Sequence, residues 1–158
     1  MTIDDWHWRL TIGAADAKPV VMNAKAVALQ ERTQKFAADV IKFCESLPRT
    51  LAAQKVAEQL LDAAGATDSN YRATCRARSS AEFIAKIGVA VEEADESKGW
   101  LELLVRSNLV SRDSAQDLIQ EADELTRIFV KSRKTAQERQ AQRLDLAKQI
   151  NTARRRRG

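Results

Sequence analysis

Thiols, one histidine between tryptophans, and two groups of arginines are the residues of this sequence that could do chemistry. Cys44 and Cys75 belong to no metal-ligand spacing. A four-ligand zinc site would have to recruit scattered carboxylates or His7, the single histidine. Two buried free thiols in a reducing cytoplasm are the simpler reading. His7 lies between Trp6 and Trp8, and nearby Asp4 and Asp5 supply no closed metal site. The many glutamates raise the di-iron chemistry of helical bundles. That chemistry needs Glu-x-x-His pairs, and none exists here. Ser69, Ser79 and Ser80 lack a histidine base, and there is no glycine-rich phosphate loop and no H-E-x-x-H. The residues predict a protein that is not an enzyme and takes no cofactor or metal.

The arginines are more informative. Arg72, Arg76 and Arg78 cluster at the end of a predicted helix, with Arg72 and Arg76 on one face at spacing four. Guanidinium groups make bidentate, charge-assisted bonds to phosphate. The competing use is ion pairing, within the chain or between subunits, with Glu92, Glu93 or Glu96. The second group is denser. Residues 127–158 hold Arg127, Lys131, Arg133, Lys134, Arg139, Arg143, Lys148 and the run Arg154, Arg155, Arg156, Arg157, against only two acids. The net charge of +4 therefore belongs to the C-terminal end, because residues 1–126 carry more acid than base. Such an end attracts any polyanion, with affinity that falls as salt rises. It has no interleaved aromatic ladder for stacking on single-stranded bases, so sequence-specific reading is not supported. The alternative is a solubilising end.

Helices must position these groups. With 158 residues, 44% hydrophobic, the chain can build one domain with a core. Only 5 Gly and 2 Pro are present, and Ala, Glu, Gln, Arg, Lys and Leu dominate, which favours helix. Phe36, Val40, Phe43 and Leu47 mark one face of a first helix, from Asn23 or Lys25 to Ser46. Pro48 ends it. Val56, Leu60, Ala64, Thr67 and Tyr71 mark a second helix that starts near Arg49 or Thr50. Its small, polar middle around Gly65 suggests close helix approach, with Asn70 as a cross-bundle hydrogen-bonding residue, or else a break. Ser79-Ser80-Ala81-Glu82 reads as a capping box for a third helix, whose stripe is Phe83, Ile87, Ala90, Ala94, Leu101 and Leu104. Asn108 can close it. Ser111 or Asp113 can cap a fourth, with Leu118, Ala122, Leu125 and Phe129 inward. Short links then dictate an all-α, up-down-up-down antiparallel four-helix bundle. Trp100, among Leu101, Leu103 and Leu104, reads as a packing residue in the core or between subunits.

The chain resembles the bacterial four-helix-bundle family, the 23S ribosomal RNA intervening-sequence proteins, over about residues 29–130. The matching text includes Phe36-Ala37, Leu47-Pro48, Gln59-Leu60, Ser69-Asn70-Tyr71-Arg72 and Arg76-Ala77-Arg78-Ser79. It continues with Glu82-Phe83-Ile84-Ala85-Lys86, Glu92-Glu93-Ala94-Asp95-Glu96, Trp100-Leu101-Glu102-Leu103-Leu104, then Glu121 and Glu124-Leu125. Ala73 departs from the pattern, since the family often has an acid after Asn-Tyr-Arg. One relative is the accessory variability protein of diversity-generating retroelements, a pentamer of bundles with a positive surface that associates with a reverse transcriptase and nucleic acid. The resemblance implies a homo-oligomer, with a pentamer as the model, and RNA, DNA or a protein such as a reverse transcriptase as partner.

The expected organisation is an N-terminal extension at 1–24, a bundle at 25–130 and a basic helical extension and tail at 131–158. The first residues, with Asp4 and Asp5, form no signal peptide, and no stretch approaches the ~20 apolar residues of a membrane span. The leading expectation is an oligomeric scaffold or adaptor that binds RNA or DNA electrostatically. Its rival is a protein–protein assembly module without nucleic-acid binding. A coiled-coil partner is a third option, weakened because the apolar period fades after Phe129.

Overall fold

The computed structural model describes residues 24–155, with the side chain of Arg154 excepted. The expected extension with Trp6, His7 and Trp8 lies outside the described residues, as do Arg156 and Arg157. Four helices follow one another: α1 (Ala24–Glu45), α2 (Leu51–Cys75), α3 (Ser80–Arg106) and α4 (Arg112–Arg155). Each packs on the next, as the short links require, giving an all-α, four-helix bundle. The cycle closes unevenly. α1 packs broadly on α2 and only sparsely on α4.

The caps explain where the helices begin and end. The hydroxyl of Thr50 accepts from the Ala53 N–H at 3.2 Å and starts α2. Ser79 accepts from the Glu82 N–H at 3.1 Å and starts α3. Glu82 reaches back one residue further than a capping box requires, accepting from the Arg78 N–H at 2.8 Å. Ser111 rather than Asp113 caps α4, accepting from the Ser114 N–H. α3 ends at Asn108, which has φ 55°, the left-handed conformation that asparagine tolerates. Leu109 and Asn108 then donate back to the Leu104 and Val105 carbonyls, the Schellman pattern.

Every expected core residue of α3 is buried, from Phe83 to Leu104. α2 is unbroken at Gly65, which is exposed and has open space where a Cβ would stand. The close approach falls on its neighbours Ala63 and Ala64. Nor does Asn70 cross the bundle, because its side-chain amide donates to the Ala66 carbonyl of its own helix. Asp68 crosses instead: its carboxylate accepts from the buried Thr33 hydroxyl of α1 at 2.7 Å. Two residues separate the positions, enough to turn them to different faces.

Tyr71 and Phe129 stack across the diagonal of the bundle, ring centroids 5.2 Å apart and planes 18° from parallel. The Tyr71 hydroxyl is enclosed and has no hydrogen-bond partner. The Cys75 thiol is its polar neighbour, without the geometry of a hydrogen bond. Burial, and then Cys75, raises the phenol's pKa, so it stays protonated. A buried, unmade hydrogen bond costs about 1–3 kcal/mol. Tyr71→Phe is therefore expected to leave stability unchanged or raise it by roughly 1 kcal/mol in urea denaturation. A loss of that size would show that the hydroxyl is bonded after all.

Candidate interaction surface

The most exposed charged element is the far end of α4. Its buried face runs through Ala115, Ile119, Ala122, Leu125 and Phe129, then on through Ser132 and Ala136. Small residues carry the packing past Phe129, where large apolar ones stop. Gln140 is the last residue with any cover. From Ala141 onward every described side chain is exposed. The helix nevertheless continues to Arg155. At 1.5 Å per residue this leaves about 22 Å of helix standing off the bundle. Residues 141–158 carry six Lys/Arg and one acid, Asp145. Leu144, Leu146 and Ile150 are exposed on the same stretch, between 46% and 58%.

The structure separates the expected arginine sites. Arg154 and Arg155 lie in the last turn of α4. Lys134 is exposed, Lys131 is half-covered, and Arg133 lies partly buried in the seam with α3. At the other cluster, Arg72 pairs with Asp68 of its own helix at 3.8 Å, and Arg78 with Glu82 at 3.9 Å. Arg76 caps the end of α2 with its backbone N–H. Within one chain, the partners of Arg72 and Arg78 are therefore Asp68 and Glu82 rather than Glu92, Glu93 or Glu96. That acidic run begins about 18 Å along α3 from the α2–α3 turn. Within the run Ala94 turns inward, and the Glu93 carboxyl is raised above its ordinary range by burial, then by Glu96 and Glu92.

Trp100 is half-covered at the rim of the core, and its indole N–H donates to Glu96 at 2.9 Å. Burial pushes Cys44 up to about 11 and raises Cys75 as well. Both thiols are therefore protonated near neutral pH and poor nucleophiles. Among the described residues no group of three His, Cys, Asp or Glu could hold a metal ion. No described helix is long and apolar enough to cross a membrane.

One ionic cluster escapes a reading of the sequence. Arg32 of α1 forks onto Glu121 of α4, Nε to Oε1 at 2.6 Å and Nη2 to Oε2 at 2.7 Å, and Nη2 also meets Glu124 at 2.5 Å. Beside it runs an open groove of about 320 Å³, lined by Arg32, Lys35, Phe36, Asp39, Asp117, Leu118 and Glu121. Glu121 and Glu124, three apart on one face, were the available signal for a cation opposite. The sequence does not say which cation. Lys98 and Asp123, 2.8 Å apart, join α3 to α4 in the same way.

These features belong to an all-α, four-helix bundle with a charged, projecting fourth helix. The chain belongs to the 23S rRNA-intervening sequence protein family, whose pattern matches residues 25–131. Among solved structures it is similar to a protein of unknown function from Bacteroides thetaiotaomicron, described as from the S23 ribosomal protein family. That likeness has 26% identity and a TM-score of 0.63, and covers 70% of this chain and 98% of the other. No curated protein matches the chain. The family match stops before Arg133, so the projecting end of α4 lies outside it.

Proposed function

We propose that this chain is a non-enzymatic assembly module that docks an acidic protein partner through the projecting end of α4. The observation that carries this is the exposure of Leu144, Leu146 and Ile150 on a basic stretch of helix. An isolated helix of about 15 residues is marginal in water, and most helix stability comes from packing one face. A partner surface that covers the leucines and answers the arginines meets both needs. Further copies of the chain, or a reverse transcriptase as the family resemblance implies, are the partners we propose for it. The protonated thiols suit a cytoplasmic setting. A second reading follows from charge alone: the same end binds RNA or DNA through phosphates, which needs none of the apolar side chains.

A chain ended after Gln140 tests both. It keeps every buried residue among those described, so it is expected to unfold cooperatively within a few degrees of the full chain. It is expected to lose most binding to acidic peptides and to labelled RNA or DNA. Undiminished binding would place the surface elsewhere. Salt-sensitive binding of the full chain to nucleic acid alone, at a fixed subunit ratio by light scattering, would favour the second reading.

A further inference from the structure

Arg133 is held where an arginine needs a reason to be. Its guanidinium lies over Gly88 of α3, so close that a Cβ on Gly88 would stand 3.2 Å from Arg133 Cζ and 3.4 Å from Nε and Nη2. Gly88 is buried in the middle of a helix, where glycine is unfavourable relative to alanine. The Arg133 Nε is enclosed and has no hydrogen-bond partner. Among the described residues no carboxylate forms an ion pair with Arg133. Three local rules are broken together here: glycine in a helix, a buried donor without an acceptor, and a partly buried cation without an anion. A methionine or leucine would pack the seam without any of them. Clustered violations of this sort mark sites kept for something other than folding.

We infer that the α3–α4 seam at Arg133 is a second docking point, which receives a carboxylate from an acidic protein partner. This deepens the assembly reading and rests on it. Gly88 seats the guanidinium flat against the helix and fixes its direction. The fork is then preorganised for a two-oxygen anion, which lowers the ordering cost of binding. Two further observations favour a protein carboxylate over a phosphodiester. Val89, beside Gly88, and Val130, one turn before Arg133, are exposed at 38% and 48%. Apolar cover gains from a protein surface and gains nothing from a hydrated phosphate. Arginine within such a surround is also the residue type that dominates protein interfaces. Lys134, exposed on the next position, adds attraction for an acidic surface.

The test measures binding of fluorescein-labelled oligoglutamate and of oligothymidylate to the full chain at physiological salt. Arg133→Met is expected to weaken oligoglutamate binding about tenfold, less than the loss of one partner of a fully desolvated charge pair because Arg133 is only partly buried. Lys134→Met removes the same charge from an exposed site and is expected to change it only about twofold. Gly88→Ala displaces the guanidinium without removing it, and alanine favours the helix. That variant is expected to melt no lower than the wild type and to bind more weakly than the wild type, by less than Arg133→Met. Arg133→Lys should not rescue binding, because an ammonium has no fork. Equal losses for Arg133→Met and Lys134→Met would overturn the seam and leave the assembly reading standing. A tenfold loss seen only with oligothymidylate would overturn it in favour of a phosphate site. No oligoglutamate binding by the wild-type chain would overturn both readings.

Discussion

Phe129→Ala is expected to cost about 3–5 kcal/mol in urea denaturation, the largest effect of any single truncation considered for this bundle. Phe129 is fully buried, and its ring is stacked on Tyr71. Removing it deletes the apolar area of an aromatic side chain and one half of the stacked pair. The hole lies between α2 and α4, which face each other across the diagonal and are not neighbours in the helix cycle. Neither helix can close it without breaking its packing on α3, so little relaxation is expected. A domain of this size has roughly 5–15 kcal/mol in total. The variant should therefore be marginal at 37 °C. A cost below about 1 kcal/mol would mean that the ring is not a core element and that the diagonal stack is incidental.

The four helices were legible because their signals are local and repeated. Phe83, Ile87, Ala90, Ala94, Leu101 and Leu104 return at helical spacing over six turns, and Ser79 announces the start of that run in its own hydroxyl. Pro48 and the left-handed Asn108 punctuate the chain in ways a sequence states directly. Contacts between helices are less legible. Asn70 and Asp68 are both plausible cross-bundle polar residues, and a rotation of two positions decides between them. Arg72 and Arg78 are complementary to Glu92 and Glu93 on composition, but within one chain each pairs with an acid four residues away, Asp68 and Glu82. The end of the core was hard to see because Ser132 and Ala136 are small, and a search for large apolar residues passes over them. Arg133 appeared as one cation among many, since nothing in the sequence shows that Gly88 stands opposite. The family match speaks for the bundle and is silent on the projecting helix.

Arg32→Met should loosen the least-packed edge of the bundle, where α1 meets α4. The guanidinium makes three short hydrogen bonds to Glu121 and Glu124, and removing it leaves two carboxylates three residues apart without their cation. Hydrogen bonds to charged groups contribute about 1.5–3 kcal/mol when protected from water. The side chains here keep 28% to 44% of their surface, so screening reduces the expected cost to roughly 1–2 kcal/mol. Much of that cost is repulsion between the orphaned acids. Glu121→Gln in the Arg32→Met background should therefore recover part of the loss, whereas in the wild type it should only destabilise. The pH dependence has a definite sign. The Arg32 hydrogen bond, then Gln120, holds Glu124 below the ordinary 4.5 of a glutamate. A carboxyl depressed by folding contributes stability that is complete above 4.5 and drains away as pH falls through its lowered folded value. The wild-type melting temperature should thus drop below pH 4.5 more steeply than that of Arg32→Met, and the two curves should converge in acid. Parallel curves would show that the cluster adds nothing to the edge, and that the neighbouring Phe36 packing alone holds α1 in place.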